Sequence, residues 1–290
     1  MTTATLIVLA ITSLGAATVN GALGYGYSSI SVPIALLVVA GRVLNPAIVI
    51  VEVAINLYAL WWNRGAASRV IGRVIPLAAG LVPGVIVGAL LLDYVAASSA
   101  KLGVYLVLLP LILIQASGRR WPIRREQNAA VPLGAGVGLL YGLTTISGPP
   151  LALFWNNQGL AKEDFKVTLA IVRTLESLCA LIAYASLGLL ARESAGILPW
   201  IIPGVLLGFP IGHWVIRKVG TETFRRVCMS FDAYLVSFGL ARVLIGFGLA
   251  PGVAYQLVVA TAIVDSSLLW SFFRQPRPQV VAEPSLELAA

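Results

Sequence analysis

The sequence predicts an all-α polytopic membrane protein of two inverted repeats, each a broken-helix hairpin plus three transmembrane helices, with one extra C-terminal span. Three observations lead to this prediction: an apolar composition, a pair of similar broken segments, and an uneven distribution of basic residues. The chain has 290 residues, of which 59% are hydrophobic and 11% are charged. Because a soluble domain carries about 25% charged residues, this composition excludes an ordinary soluble fold, and it excludes a disordered chain as well.

Apolar runs separated by short polar breaks mark the predicted helices. Two regions differ from the rest, because in each a pair of apolar arms flanks a break rich in Gly, Ser, Thr and Pro. The first consists of arms 5–20 and 32–40, and the second of arms 129–143 and 151–155. The arms of the second region are shorter than the roughly 20 residues of an ordinary span, so each region is either a kinked helix or a hairpin. The predicted ordinary spans are 43–62, 74–92, 102–116, 167–190, 197–216, 227–248 and 253–273.

The two breaks align with each other without gaps. Gly24-Tyr-Gly-Tyr-Ser-Ser-Ile-Ser-Val-Pro33 lies over Leu140-Tyr-Gly-Leu-Thr-Thr-Ile-Ser-Gly-Pro149 at an offset of 116 residues. A second match follows in the same order, 81–88 over 201–208, at an offset of 120. This self-similarity predicts a duplication. The predicted organisation is a first membrane repeat at 1–117, a basic cytoplasmic linker at 118–128, a second repeat at 129–248, an extra helix at 249–273 and a disordered cytoplasmic tail at 274–290.

The distribution of Lys and Arg discriminates between kinked helices and hairpins, because basic residues collect in cytoplasmic loops. Single crossings of both broken segments place nine basic residues on one side and ten on the other. Hairpins place fifteen on one side and four on the other, with Arg173 inside a span left out. The excess of basic residues that gives the net charge of +8 therefore marks the cytoplasmic side of the membrane. Its distribution predicts an outside N-terminus and a cytoplasmic C-terminus.

Each repeat then contains one hairpin and three crossings, an odd number, so the two repeats are inverted. Two full crossings have the same parity as a hairpin, and segment 5–20 is almost long enough for one, so charge leaves that alternative open. Inverted repeats with broken helices are typical of transporters that bind substrate near the membrane midplane.

Both breaks end in Ser-x-Pro, at Ser31-Val-Pro33 and at Ser147-Gly-Pro149. This pattern predicts an N-cap followed by the first turn of a half-helix, whose free N–H groups and positive dipole end favour an anion. The alternative is that the hydroxyls only satisfy local backbone groups. The candidate substrate-binding residues are Tyr25, Gly26, Ser28, Ser29, Ser31, Tyr141, Gly142, Thr144, Thr145, Ser147 and Arg173.

Ionisable residues inside predicted spans are the second functional signal, because they are costly there. Glu52 lies near the centre of span 43–62 and is the candidate proton carrier. Arg173 is a candidate counter-charge for an anion, with snorkelling or a pair with Glu176 as alternatives. An alignment at an offset of 121 places Glu52 and Arg173 at equivalent positions of the two repeats.

The motifs in the two breaks and the basic central loop resemble the TauE/SafE family of sulfite and organosulfonate exporters, over most of 1–272. The resemblance implies a secondary carrier that exports sulfite, sulfoacetate or a related sulfonate through a bacterial-type plasma (inner) membrane. The expected partners are the small anion and the lipid bilayer, with no nucleic acid.

Other function classes fit the sequence less well. A carrier or channel for a metal cation or another small anion, or an importer, stays open because Glu52 and Asp265 lie in predicted spans. An enzyme is not expected, because one His, two Cys and the absence of HExxH or GxSxG provide little for catalysis. No cofactor or bound metal is expected, since the GxxxxGK[ST] motif of ATP-binding loops is missing and the two cysteines lie in apolar segments.

Overall fold

The computed structural model describes residues 2–117, 123–219 and 221–274, and every regular element in these ranges is a helix. The first repeat region holds α1 (Thr3–Leu23), α2 (Tyr27–Ala35), α3 (Gly41–Asn63), α4 (Ala67–Tyr94) and α5 (Ala97–Ala116). The second holds α6 (Glu126–Thr144), α7 (Gly148–Asn157), α8 (Lys162–Ser186), α9 (Arg192–Val219) and α10 (Thr221–Gly246), followed by α11 (Pro251–Arg274). The predicted tail beyond Arg274 and the linker segment 118–122 lie outside the described residues.

The all-helical membrane architecture that the composition predicts is confirmed. Seven helices in the described ranges are long and apolar enough to cross a bilayer: α1, α3, α4, α8, α9, α10 and α11. The first of them, α1, has 21 residues, about 31 Å, so the first arm of the first broken segment matches the thickness of the hydrocarbon core. Both broken segments exist, and both are followed by helices of full length.

The breaks are shorter than the sequence predicts. The first comprises Gly24–Gly26 instead of 21–31, because Gly21 continues α1 and the Ser-rich stretch forms the first turns of α2. The second comprises Thr145–Ser147, because Pro149 and Pro150 fit the first turn of α7, where a missing N–H costs nothing. The arms of the second region are correspondingly longer than predicted, at 19 and 10 residues.

The prediction that Ser31 caps the half-helix is wrong. Ser31 lies inside α2, and its hydroxyl donates to the carbonyl of Tyr27 at 2.7 Å. Gly26 takes the N-cap position instead, with φ +107°, a conformation that glycine adopts without strain. Ser147 does precede α7, but its hydroxyl makes no capping bond.

Glycines bring two pairs of helices into backbone contact. On α4, a Cβ at Gly80 would meet the backbone of Val131, and a Cβ at Gly88 would meet that of Leu139. The residue numbers on both helices increase along the contact, so α4 and α6 run in the same direction. Glycines four residues apart lie on one face of a helix, the arrangement that lets membrane helices approach closely. The glycines with such contacts in this pair are Gly80, Gly84, Gly88, Gly134, Gly138 and Gly142.

The second glycine contact joins α1 to α9. A Cβ at Gly204 would meet the backbone of Ala10, and one at Gly212 would meet that of Thr18, so these helices also run in the same direction. The sequence match at an offset of 120 places Gly204 over Gly84, and each glycine contacts the backbone of a long helix in the other half of the chain.

Replacing Gly84 by Ala is expected to destabilise the protein by about 1–3 kcal/mol, because the added methyl group meets the α6 backbone at Ala135, which has no room to move. Gly136 on α6 is the matched control, since a Cβ there has nothing within 4 Å. Thermal unfolding in detergent measures the difference. Equal melting temperatures for G84A and G136A would contradict the close contact.

The chain reverses direction at the second break. Arg69 and Asp164 pair near the beginnings of α4 and α8, with Nη2 and Oδ1 3.0 Å apart. Leu90 and Ala183, near the ends of these helices, line one pocket. Helix α8 therefore runs parallel to α4, and so to α6. Because α7 alone separates α6 from α8, the chain must turn back between Thr144 and Lys162.

The first break reverses the chain in the same way. Asn45 near the beginning of α3 and Val95 after the end of α4 line one pocket, so these neighbours are antiparallel. Helices α8 and α9 are joined by only five residues, 187–191, and from this short connection we infer that the chain reverses direction between them. It follows that α1, α3 and α9 run in one direction and α4, α6 and α8 in the other.

Candidate functional site

The two breaks meet inside the helix bundle. A methyl group on Gly148, the first residue of α7, would lie 3.1 Å from the hydroxyl of Ser29 in α2 and 3.6 Å from the ring of Tyr25. It would also lie 3.7 Å from Nη1 of Arg173 in α8. The beginnings of both half-helices therefore converge on one point beside a buried guanidinium.

The half-helices offer unequal numbers of backbone donors. The first N–H groups of a helix have no acceptor within it, which leaves those of Tyr27, Ser28 and Ser29 at the start of α2. In α7 the second and third residues are Pro149 and Pro150, which have no N–H. Of the two half-helices that were predicted to present free N–H groups, α2 therefore supplies most of the backbone donors.

Three ionisable side chains form a charged cluster next to this point. Glu52 of α3 and Arg173 and Glu176 of α8 are all at most 1% exposed. An Nη2 hydrogen of Arg173 is donated to Oε1 of Glu52, and its Nε lies 3.8 Å from Oε1 of Glu176. Arg173 therefore contacts Glu176, the predicted alternative partner, and also pairs with Glu52, which was not predicted as its partner, and it does not snorkel. Two carboxyls share one guanidinium, so the cluster has an excess of one negative charge when both are ionised.

Residues in the second break and in the last turn of α6 before it hold these carboxyls. The hydroxyl of Tyr141 donates to Oε2 of Glu52 at 2.7 Å. The hydroxyl of Ser147 donates to Oε1 of Glu176. Such bonds to charged acceptors are among the stronger ones in proteins. Tyr141 and Ser147, both predicted site residues, therefore bind the acidic side chains of the cluster, which links the second break to α3 and α8.

Several hydrogen-bond donors at the meeting point have no partner among the described residues. They are Nη1 and Nε of Arg173 and the hydroxyls of Ser28 and Ser29, all buried. In a lipid-embedded protein an unsatisfied polar group costs several kcal/mol, so donors of this kind mark a place for a ligand or water. An anion can accept a hydrogen bond from each of these four donors.

The other predicted residues serve the local backbone. Like Ser31, Thr144 donates to a carbonyl of its own helix, that of Leu140, and Thr145 donates to the carbonyl of Thr144. Gly142 packs against the α4 backbone, and Tyr184 donates to its carbonyl at 2.6 Å. Thr145 has φ +60°, a strained conformation for a β-branched residue, which is typical of functional turns. For these hydroxyls the structure agrees with the local alternative.

Sequence reasoning missed two polar residues of the α3–α8 contact. Asn56 donates to the carbonyl of Arg173 at 3.1 Å and to the hydroxyl of Ser177 at 3.3 Å. Asn56 lies one helical turn after Glu52, and Ser177 one turn after Arg173, so a search for polar residues at this spacing identifies both. Within the described ranges, no group of three or more His, Cys, Asp or Glu side chains is placed to hold a metal ion.

Comparison with known proteins places these features in a family. Residues 9–238 match the family described as Sulfite exporter TauE/SafE. Over 169 residues the chain is 28% identical to a Cupriavidus necator protein described as "Probable sulfite/organosulfonate exporter TauE", an alignment that covers 56% of this chain and 66% of that relative, slightly less than two thirds. No solved structure matches the chain. Because the family match includes both breaks and the charged cluster, and most of the chain, the protein belongs to the sulfite exporter TauE/SafE family.

Proposed function

We propose that the protein is a secondary transporter that exports a small sulfur-containing anion, such as sulfite, sulfoacetate or a related organosulfonate, by alternating access. The observation that carries the proposal is the convergence of unpaired donors from Arg173 and Ser29 at Gly148, where the two breaks meet. Positive charge and hydroxyl donors at membrane depth suit an oxyanion. Membership of an exporter family supports the same substrate class and disfavours an enzyme.

The inverted-repeat architecture is part of this proposal. Reversal of the chain at both breaks supports hairpins over kinked crossings. The first helix of each repeat packs on the fourth helix of the other repeat. Helix α1 packs on α9, and α6 packs on α4. Glu52 and Arg173, and likewise Asn56 and Ser177, are 121 residues apart and in contact. Contact between equivalent residues is expected on a two-fold axis, so α3 and α8 would cross at the centre of the transporter.

The charged cluster suggests how anion and proton are coupled. In the structure Glu52 binds Nη2 of Arg173, and we infer that an anion entering at Nη1 and Nε goes on to displace that carboxylate from the guanidinium. A displaced carboxylate left without its partner in the bundle is costly, and proton uptake removes the cost. We therefore expect one proton to accompany the anion, with Glu52 as its carrier. The direction of transport then follows the combined gradients of anion and proton.

A metal cation is the less suitable substrate. Two carboxyls, Glu52 and Glu176, are close together, but Arg173 lies between them and repels a cation. Asp265 was the other acidic residue for which a cation substrate stayed an alternative. It lies on α11 and takes no part in the cluster.

Counterflow in proteoliposomes tests the proposal. Vesicles loaded with unlabelled compound are expected to accumulate labelled sulfite, sulfoacetate or ethanesulfonate, and nickel is expected to give no signal. Protein-free liposomes supply the background, and sulfate measures selectivity among oxyanions. Accumulation of nickel alone would contradict the anion proposal.

A further inference from the structure

A second polar site adjoins the meeting point. A small cavity of about 20 Å³ is lined by the end of α1, the first break, the beginnings of α2 and α7, the end of α5 and the first half of α10, and this volume suits about one water molecule. Its polar lining residues are Tyr25, Ser29, Gln115, Arg225, Cys228 and Asp232. Neither the proposed anion site nor the charged cluster uses Gln115 or Asp232.

Three buried polar atoms around this cavity have no hydrogen-bond partner among the described residues. They are Oδ1 of Asp232, Nε2 of Gln115 and the hydroxyl of Ser29. The three side chains are 9%, 6% and 2% exposed. A donor, an acceptor and a hydroxyl around one water-sized space are the partners that a bound water needs, since such a water makes about three hydrogen bonds. The geometry therefore indicates a hydrated polar site.

The cavity adjoins the charged cluster through Ser29. This residue lines the cavity, and its hydroxyl also lies beside Gly148, the residue after Ser147. The Ser147 hydroxyl in turn donates to Glu176. Hydroxyls and waters in such a series conduct protons by exchanging the hydrogen bonds that they donate and accept.

Asp232 is the one acidic residue among those lining this cavity. Among the residues lining the cavity, the titratable or charged side chains are Arg225 and Cys228 of its own helix and Tyr25 of the first break. Arg225 supplies the one positive charge there. Asp232 is eleven residues into α10, about 16 Å from its beginning, which the topology predicts to be cytoplasmic.

We propose that Asp232 is a proton relay between the cytoplasm and the charged cluster, acting through the water site that it shares with Gln115 and Ser29. This rests on the proposed function. A proton from cytoplasmic water binds the Asp232 carboxylate. The resulting carboxylic acid passes it through the bound water and the hydroxyls of Ser29 and Ser147 to the carboxylate of Glu176, which passes it on within the charged cluster to Glu52, and Asp232 and Glu176 are ionised again. Asp232 acts through other groups and does not contact the anion.

Proteoliposomes containing an internal pH dye test the relay, with ethanesulfonate as the transported anion. Wild type should exchange labelled ethanesulfonate and move protons when an ethanesulfonate gradient is imposed. Asp232→Asn should keep the exchange, which needs no net proton movement, and lose the coupled proton movement. Asp232→Glu should restore it. Asp265→Asn is the matched control, a buried carboxyl on α11 that lines neither site, and it should retain both activities.

The outcomes separate the relay from the proposed function. Proton movement by Asp232→Asn at the wild-type rate overturns the relay. Exchange by wild type without any proton movement overturns the relay and leaves the anion transporter standing, whereas no exchange of any sulfonate or sulfite contradicts the transporter itself. If Asp232→Asn aggregates, Gln115→Leu is the second variant. It removes the Nε2 donor from the water site and keeps the carboxyl of Asp232. Proton movement must then slow, and an unchanged rate overturns the relay.

Discussion

Replacing Arg173 by Gln is expected to abolish anion binding, with a loss of at least about 3 kcal/mol, more than about a hundredfold in Kd. Arg173 is the only positive side chain of the charged cluster, and its Nη1 and Nε have no hydrogen-bond partner within the described part of the chain. Arg173→Lys keeps the charge but not the planar fork, so it should recover only part of the affinity. Equilibrium binding of labelled sulfite to purified protein measures these differences.

Folding must be separated from binding in this experiment. Arg173→Gln alone leaves two buried carboxyls without their partner, an uncompensated charge that costs about 3–5 kcal/mol of stability. The double variant Glu52→Gln/Arg173→Gln removes a charge of each sign and should recover much of the melting temperature, without recovering sulfite binding. Wild-type affinity in a well-folded double variant would show that the anion does not bind Arg173.

Replacing Glu52 by Gln is expected to remove the pH dependence of transport. In the wild type, binding of the anion takes up a proton, so apparent affinity should fall as pH rises. The neutral amide of the variant cannot compete as a carboxylate for Arg173 or carry a proton, so affinity should stay high and unchanged at alkaline pH. The amide oxygen can still accept the hydrogen bond from Tyr141. Labelled ethanesulfonate uptake, measured across pH, provides the test.

The same variant should also change the response to membrane potential. A monoanion that crosses with one proton carries no net charge, whereas the Glu52→Gln variant would carry the charge of the anion. The equilibrium gradient of ethanesulfonate should then shift by about 2.3 kcal/mol per 100 mV, roughly fiftyfold. Asp265→Asn again serves as the control. A Glu52→Gln protein with the pH and potential responses of the wild type would exclude Glu52 as the proton carrier.

Much of the fold is predictable from the sequence, because the length of an apolar segment indicates whether it spans the bilayer and the charge of a loop indicates on which side it lies. Six of the seven predicted ordinary spans lie in the long apolar helices α3, α4, α8, α9, α10 and α11, and both broken segments follow from local composition. Helix boundaries at the breaks are harder to predict. Ser31 looks like a cap because Pro33 follows it, yet the αL conformation available to Gly26 starts the helix four residues earlier.

The site is only partly predictable, because its chemistry depends on contacts between distant helices. Glu52 and Arg173 stand out as charges inside spans, and an offset of 121 predicts that both border one centre. Their direct ion pair depends on how α3 and α8 cross, whereas the contact of Arg173 with Glu176 lies within α8 at the predicted i,i+3 spacing. Asn56 and Asp232 are single polar residues in apolar or mixed segments. The neighbouring sequence does not distinguish a functional residue of this kind from a structural one.

Proton uptake on anion binding tests most directly the central claim, that the anion replaces a carboxylate as the partner of Arg173. Ethanesulfonate is fully ionised near neutral pH, so it can be added to purified protein in weakly buffered detergent solution without releasing or absorbing protons itself. We predict that the solution becomes more alkaline by about one proton per anion bound, and that Glu52→Gln abolishes the change. Saturable binding of ethanesulfonate without proton uptake would contradict it.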